Sequence, residues 1–198
     1  MIKENCKVVF FCPFKAEALL LASQIKDCHK INSKTWINKD VMIFTWNDAG
    51  FLPMHKFLSC FPLYELRDKE IVLFGSAGSV DSAHKIGQTF SLDRINHKGK
   101  VIWAKTLNEI PAINGLTVEE PVLSSFLRES LKEKHGICLI DLESFHFIDF
   151  FNKHEIQAKV LRFVSDTPDC PFRLPFSKVL VNQFNQDLKK IKEELNFE

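Results

Sequence analysis

The sequence predicts an α/β domain in which helices cover a central sheet. Short apolar runs alternate with amphipathic stretches along the chain, and this alternation is typical of layered α/β proteins. The 198 residues suit one such domain, since single domains commonly reach about 200 residues. With 45% apolar and 26% charged residues, the chain can bury a sizeable core. We therefore expect residues 1–198 to form a single domain.

The N-terminal part of the chain supplies alternating strand and helix candidates. Residues 7–11 form an apolar run that favours a buried strand, and a helix is expected over residues 13–25. Residues 40–45 favour a second strand, with the segment around Trp36 as its hairpin partner. Residues 50–60 favour another helix, whose limits are blurred by prolines.

The middle of the chain places a glycine-rich segment directly after a strand candidate. Residues 71–74 favour a short buried strand, and residues 75–78 (Gly-Ser-Ala-Gly) are interpreted as a sharp turn that lets backbone approach a ligand. Residues 85–94 favour a turn followed by a further strand. Residues 95–115 are the hardest segment to assign, and residues 101–103 are a short strand candidate within it.

The C-terminal third continues the alternation and ends in a helix. Residues 124–133 favour a helix, residues 137–140 favour a strand, and a phenylalanine-rich helix is expected after Glu143. Residues 159–164 are the last strong strand candidate. Apolar side chains recur at helical spacing over residues 179–195, so an amphipathic helix is expected to pack on the sheet.

Charge and cysteine content argue against several classes of protein. The 26 basic and 25 acidic residues give a net charge of +1, with no general attraction to nucleic acid. The six cysteines are dispersed and form no Cys-x-x-Cys pair, so we expect reduced thiols in a cytoplasm. No apolar stretch approaches the roughly 20 residues of a membrane span. A soluble cytoplasmic protein with no nucleic-acid or membrane partner is expected.

Four polar side chains follow predicted strands: Glu17, Ser76, Glu143 and Asp166. In open α/β sheets, ligands bind outside the carboxyl ends of the strands, so these side chains are candidates for one pocket. Each also has a simpler interpretation. Glu17 and Glu143 suit the N-terminal turns of exposed helices, and Asp166 suits an N-cap or a turn.

The order of these motifs resembles the methylthioadenosine/S-adenosylhomocysteine nucleosidase and futalosine hydrolase family, within the nucleoside phosphorylase superfamily. Residues 74–80 with residues 85–88 look like the family's Gly-Ser-Ala-Gly-Gly segment and the strand after it. Residues 140–144 (Ile-Asp-Leu-Glu-Ser) are similar to its Glu-Met-Glu motif, and residues 161–166 to its Val-Arg-x-Ile-Ser-Asp signature. A weaker match, residues 12–17, stands where the family has Gly-Ala-Met-x-x-Glu.

The resemblance implies roles for the polar residues. Asp166 would be the general acid that protonates the purine N7, which requires a raised pKa or a shared proton. Glu17 would orient and deprotonate the attacking water. Glu143 would bind the ribose hydroxyls and help to stabilise an oxocarbenium-like sugar, Ser76 would lie near base and water, and Leu142 would take the place of the family's Met beneath the ribose.

The same resemblance implies the architecture and the rest of the pocket. A three-layer α/β/α fold with a central mixed sheet is expected, of the nucleoside phosphorylase/hydrolase type, together with a homodimer. Ser165 and Gly78 are expected to contact the substrate. Arg162 falls inside a predicted strand, where an unpaired charge is costly, so we expect a carboxylate partner and a structural role.

Departures from the family pattern bear on the substrate. Residues 46–50 replace the usual Ser-Gly-Ile-Gly loop, and residues 118–123 replace a segment that stacks a Phe on the base. Phosphorylases hold phosphate with arginines, and no Arg precedes Arg67, so hydrolysis is favoured. The leading interpretation is cleavage of futalosine or 6-amino-6-deoxyfutalosine, in menaquinone biosynthesis. Methylthioadenosine/S-adenosylhomocysteine nucleosidase and a non-catalytic nucleoside-binding module remain alternatives.

No metal or organic cofactor is predicted, and water is the expected co-substrate. Glu143 and His146 have a spacing that can place two metal ligands on one helix face, but the motif has no second copy. His135 and Cys138 lack further partners at zinc spacing.

Overall fold

A computed structural model describes residues 2–198 and confirms the α/β class. Within these residues the strands are β1 Val8–Cys12, β2 His29–Asn32, β3 Thr35–Ile37, β4 Val41–Thr45, β5 Glu70–Ser79, β6 Thr89–His97, β7 Lys100–Trp103, β8 Ala112–Thr117, β9 Leu139–Asp141 and β10 Ala158–Asp166. The α-helices are α1 Lys15–Ala22, α2 Phe51–Leu58, α3 Ser125–His135, α4 Ser144–Lys153 and α5 Lys178–Glu194, with a short 3₁₀ helix at Leu63–Leu66. Within residues 2–198, none of these helices has the length and apolarity to span a bilayer.

The strands form one mixed sheet that closes on itself at one end. β5, β10, β6, β8 and β9 pair in a ring, because β9 returns to β5. From β5 the sheet extends as an open ribbon through β1, β4, β3 and β2. β5 runs parallel to both β1 and β10, so the carboxyl ends of these three strands meet at one edge.

Helices cover both faces of the sheet, as the three-layer prediction requires. One apolar cluster joins α1 and α5 to the sheet, and a second joins α2 and α4 to the opposite face. Phenylalanine dominates both cores, because its rings pack edge to face between layers. Fully buried rings are Phe10, Phe11, Phe74, Phe147, Phe151, Phe163 and Phe184. We infer that these rings provide much of the apolar burial that stabilises the fold.

The glycine-rich segment is not the turn that the sequence suggested. β5 continues through Gly75 and Gly78 to Ser79, and neither glycine has a positive φ. Register explains the glycines instead, since Gly75 lies opposite Arg162 on β10 and Gly78 lies opposite Asp166. A Cβ at position 75 would stand 2.6 Å from Arg162 Nη1, and one at position 78 would stand 3.0 Å from Asp166 Oδ2. Glycine is therefore needed at positions 75 and 78, because a side chain there would collide with Arg162 or Asp166 on β10.

Three other expectations are corrected. α1 ends at Ala22, before Ile25. β10 includes Asp166, so this residue is neither an N-cap nor a turn residue. The sequence did not predict β2 or β8. β2 is exposed at every residue, and β8 begins within residues 95–115, the segment that was hardest to assign, and contains Gly115.

Candidate active site

A cavity of about 370 Å³ opens at the carboxyl ends of β1, β5, β9 and β10. Its wall is mostly apolar, with polar groups concentrated on the strand ends. The sequence-predicted site residues on this wall are Glu17, Ser76, Gly78, Leu142, Glu143, Ser165 and Asp166. The structure thus places all of them around one cavity, and their chemical roles stay predictions.

Glu17 lies at the third residue of α1 and turns its carboxylate inward. The side chain is 1% exposed, so the interpretation as an exposed helix residue is wrong. One oxygen accepts hydrogen bonds from the Ser76 N–H at 2.6 Å and the Ser76 hydroxyl at 2.7 Å, and the other accepts from the Phe14 N–H at 2.9 Å. Burial raises the pKa of Glu17, and the hydrogen bonds from Ser76 oppose that shift.

Arg162 is fully buried and has the carboxylate partners that the sequence analysis expected. Its Nε donates to Asp141 Oδ2 at 2.8 Å, and its Nη2 donates to Glu143 Oε2 at 3.0 Å. Its Nη1 finds no hydrogen-bond partner among residues 2–198. Because a buried donor without a partner is uncommon, this atom calls for an explanation.

The orphaned Nη1 lies on the same side of β5 as the Glu17 carboxylate. Both groups lie within 3.0 Å of the point where a Cβ at Gly75 would stand. A cationic donor and a carboxylate therefore both pack against the backbone of β5 at Gly75, beside the cavity that Glu17 lines. The charge of Arg162 also lowers the pKa of Glu17 and opposes the effect of burial.

Glu143 stands at the N-cap of α4 and is buried. Its Oε1 accepts a hydrogen bond from the Gly50 N–H at 2.9 Å, while Oε2 pairs with Arg162. Burial raises the pKa of Glu143 to about 7, against the lowering effect of Arg162, and the charge of Asp141 adds to the rise. Glu143 therefore changes charge close to neutral pH.

Asp141 was not among the sequence-predicted site residues. It accepts from Arg162 Nε and also from the Thr117 hydroxyl at 2.8 Å, so it fixes the guanidinium against β8. The sequence predicted its neighbours Leu142 and Glu143 as site residues. Asp141 could have been named with them, because it is an acidic residue at the end of a strand candidate. Asp141 and Glu143 meet because both accept hydrogen bonds from the guanidinium of Arg162.

Asp166 lies at the other end of the cavity and is paired with a residue that sequence reasoning missed. Its Oδ1 accepts from the Ser165 hydroxyl at 2.6 Å, and its Oδ2 forms an ion pair with Nη2 of Arg128 on α3. Arg128 also donates from Nε to the Val122 carbonyl at 2.8 Å and from Nη1 to the Ser79 carbonyl at 3.0 Å. Nothing in the polar sequence of α3 marks this arginine as buried.

Glu143 and His146 have the spacing of a pair of metal ligands, and the structure shows what each side chain contacts instead. Glu143 bonds to Arg162, whereas His146 packs against Phe51 and His97 with ring centroids 4.7 and 4.5 Å away. Across residues 2–198, no group of three or more His, Cys, Asp or Glu side chains is arranged to hold a metal ion.

Comparison with known proteins identifies the class of fold. No protein-family model and no curated protein sequence matches the chain. Solved structures do match, and they show that the chain has the fold of the nucleoside phosphorylase superfamily.

Three solved structures illustrate the likeness. The 5′-methylthioadenosine nucleosidase of Arabidopsis thaliana is 16% identical with a TM-score of 0.76, over 98% of this chain and 97% of that one. The purine nucleoside phosphorylase of Toxoplasma gondii, in complex with immucillin-H, is 13% identical with a TM-score of 0.74, over 98% and 92%. The MTAN of Chlamydia trachomatis bound to adenine is 14% identical with a TM-score of 0.71, over 98% and 100%.

Proposed function

We propose that this protein is a hydrolase that cleaves the N-glycosidic bond of a purine-type nucleoside. The observation that carries the proposal is the buried Glu17 carboxylate, held by Ser76 on the wall of a cavity that Glu143 and Asp166 also line. The cavity volume of about 370 Å³ falls in the range of small-molecule sites. The superfamily fold supports the same reaction class.

Glu17 is the proposed general base. Its raised pKa makes it a stronger base than an exposed glutamate, and its bonds to Ser76 fix its direction. A water in the cavity would donate a hydrogen bond to Glu17. As the oxygen of this water attacks C1′ of the ribose, its proton passes to Glu17.

Glu143 and Asp166 would act on the two halves of the breaking bond. The Glu143 carboxylate would bind the ribose hydroxyls, and its negative charge would stabilise the developing sugar cation. The electron pair of the C1′–N9 bond leaves with the base, and Asp166 is the proposed acid at N7: it would share a proton with the bound base while its Oδ2 stays paired with Arg128. The apolar wall, which includes Leu142, would exclude bulk water from the ribose.

The occupied hydrogen-bond donors favour water over phosphate as the nucleophile. Glu17 accepts the hydrogen bond of the Ser76 hydroxyl, and Glu143 and Asp141 accept two of the bonds of Arg162. These carboxyl groups therefore take donors that a phosphate anion would need. Hydrolysis is therefore the proposed reaction.

Futalosine or 6-amino-6-deoxyfutalosine is the proposed substrate, on the strength of the unusual loops at residues 46–50 and 118–123. A second candidate is methylthioadenosine or S-adenosylhomocysteine. It is favoured by the nucleosidases of Arabidopsis thaliana and Chlamydia trachomatis, which share the fold. A mostly apolar wall that includes Phe14, Leu123 and Phe172 suits a thioether chain.

A cytoplasmic homodimer is part of the proposal. The six free thiols suit a reducing compartment. Leu123 and Phe126 are 80% and 81% exposed near the cavity, and such apolar side chains are typical of a subunit interface. Sedimentation velocity tests this point, and a monomer at micromolar concentration would contradict it.

The test of function is release of free base from a panel of the four candidate nucleosides. The wild-type protein and its Glu17→Gln variant are compared by chromatography. Cleavage by the wild type alone supports the proposal. Binding of a nucleoside without cleavage by either protein would leave a nucleoside-binding module.

A further inference from the structure

We infer that Arg128 is a specificity-determining residue that selects a purine with an oxygen at C6 over one with an amino group there. The inference rests on the proposed function, and it assigns the base end of the same cavity. Arg128 is buried, lines the cavity and contacts Asp166, yet it lies on α3, outside every motif that marked the site.

Arg128 is held rigidly, with capacity left for a ligand. Its three contacts, to Val122, Ser79 and Asp166, use three of the five N–H groups of a guanidinium. Because these bonds come from β5, β10 and the segment before α3, they fix the plane of the guanidinium. The other two N–H groups make no hydrogen bond to the described residues, and Arg128 lines the cavity.

Gly78 makes room for the pair of charges at the cavity wall. A Cβ at this position would stand 3.0 Å from Arg128 Nη2 and 3.0 Å from Asp166 Oδ2. Glycine therefore lets the guanidinium and the carboxylate pack against β5, where both residues line the cavity. A base that reaches Asp166 with its N7 edge must also approach Arg128.

The chemistry of that edge separates the two classes of purine. A 6-oxopurine presents two acceptors, O6 and N7; Asp166 would serve N7, and Arg128 would donate a hydrogen bond to O6. A 6-aminopurine presents N7 and an N–H₂ donor, which would face the N–H donors of Arg128 without a hydrogen bond. Burial makes such a mismatch costly.

Arg128 would also assist departure of the base. When the C1′–N9 bond breaks, its electron pair moves into the purine ring, and in a 6-oxopurine negative charge spreads to O6 while Asp166 serves N7. A guanidinium that donates to O6 would stabilise that charge. The preference should therefore appear in kcat/KM as well as in affinity.

The test compares substrates that differ only at C6. Hydrolysis of futalosine against 6-amino-6-deoxyfutalosine, and of 5′-methylthioinosine against 5′-methylthioadenosine, is measured for the wild type, Arg128→Lys and Lys132→Met. The wild type should prefer the 6-oxo member of each pair by about 10- to 100-fold, the scale of one buried hydrogen bond that the 6-amino member cannot make. Arg128→Lys keeps a charge beside Asp166 but loses the bonds to Val122 and Ser79 that orient the guanidinium, so it should abolish most of the preference.

Lys132→Met is the matched control, because Lys132 is one turn further along α3 and pairs with Asp81 at the surface. It should leave the ratio unchanged. A wild type that prefers the 6-amino substrates, or an Arg128→Lys variant that keeps the full ratio, would overturn the inference while leaving hydrolysis intact.

Binding of the free bases separates failure of this inference from failure of the proposed function. If no nucleoside is cleaved, tighter binding of hypoxanthine than of adenine, lost in Arg128→Lys, still supports the role of Arg128. Equal binding, tighter adenine binding or binding of neither base overturns it.

Discussion

Alanine at position 75 should impair the site far more than it destabilises the fold. Its Cβ would lie 2.6 Å from Arg162 Nη1 and 2.9 and 3.0 Å from the two Glu17 oxygens, where ordinary contact begins at 3.4 Å. The added Cβ would push the guanidinium or the carboxylate away by about 1 Å. Such a shift would disturb the bond of Arg162 to Asp141 or that of Glu17 to Ser76. A misplacement of that size can cost about 100-fold in rate.

The free energy of unfolding should fall by about 1–3 kcal/mol, as overpacking of a buried site does. Gly115→Ala is the matched control, since its Cβ would lie 2.7 Å from a methyl carbon of Leu92, and Gly115 does not line the cavity. It should lose similar stability and keep its kcat/KM. Urea unfolding measures the first quantity, and nucleoside hydrolysis measures the second.

The result that would refute this reasoning is a folded Gly75→Ala protein with wild-type kcat/KM. Equal losses of activity in Gly75→Ala and Gly115→Ala would also refute it, because the effect would then be general crowding. Either outcome would remove the argument that Gly75 preserves the geometry between Glu17 and Arg162.

Three further predictions concern the carboxylates. Glu17→Gln should lower kcat by about 100- to 10,000-fold while nucleoside binding persists, because a general base is lost; an unchanged kcat would contradict the assignment. Since burial raises the pKa of Glu143 from 4.5 to about 7, the charged form is lost as pH falls through 7, so kcat/KM should drop about tenfold per pH unit below that value. The slope should vanish in Glu143→Gln, and its persistence there would assign the titration to another group. Asp166→Asn leaves the buried Arg128 cation without a counter-charge, so the free energy of unfolding should fall by about 3–5 kcal/mol; an unchanged urea midpoint would contradict the ion pair.

The same shift at Glu143 bears on folding stability. Because its pKa is higher in the folded chain, this carboxyl favours the folded state most below pH 4.5, and that contribution is lost as pH rises through about 7. In Glu143→Gln the stability should depend less on pH across this window, as measured by urea unfolding at several pH values. A pH dependence identical to that of the wild type would contradict the shift.

Apolar runs predicted the strands that are buried on both faces, and the reason is physical. β1, β4 and β10 consist almost wholly of buried side chains, so their sequences carry a continuous apolar signal. β2 is exposed at every residue and carries no such signal. The sequence did not predict the continuation of β5 through Gly75 and Gly78. Glycine is needed there because of side chains on β10, which is far away in sequence.

The site was predictable in its motifs and unpredictable in its pairings. Glu17 and Glu143 follow strands and Asp166 ends one, so the topology of an α/β sheet gathers them. The ion pair between Arg128 and Asp166 joins α3 to β10 across 38 residues, and no local pattern encodes it. The contacts of Arg162 likewise join β10 to Asp141 on β9 and to Glu143 at the N-cap of α4, and no local pattern encodes them.

The most direct test of the central claim is product analysis in phosphate-free buffer. The purified protein is incubated with futalosine and with methylthioadenosine, and the base and sugar products are quantified. Glycoside hydrolysis predicts free base and unphosphorylated sugar in equal amounts, at a rate that added phosphate does not raise. Sugar 1-phosphate formed only when phosphate is present, or bound nucleoside recovered intact from both incubations, would contradict the claim.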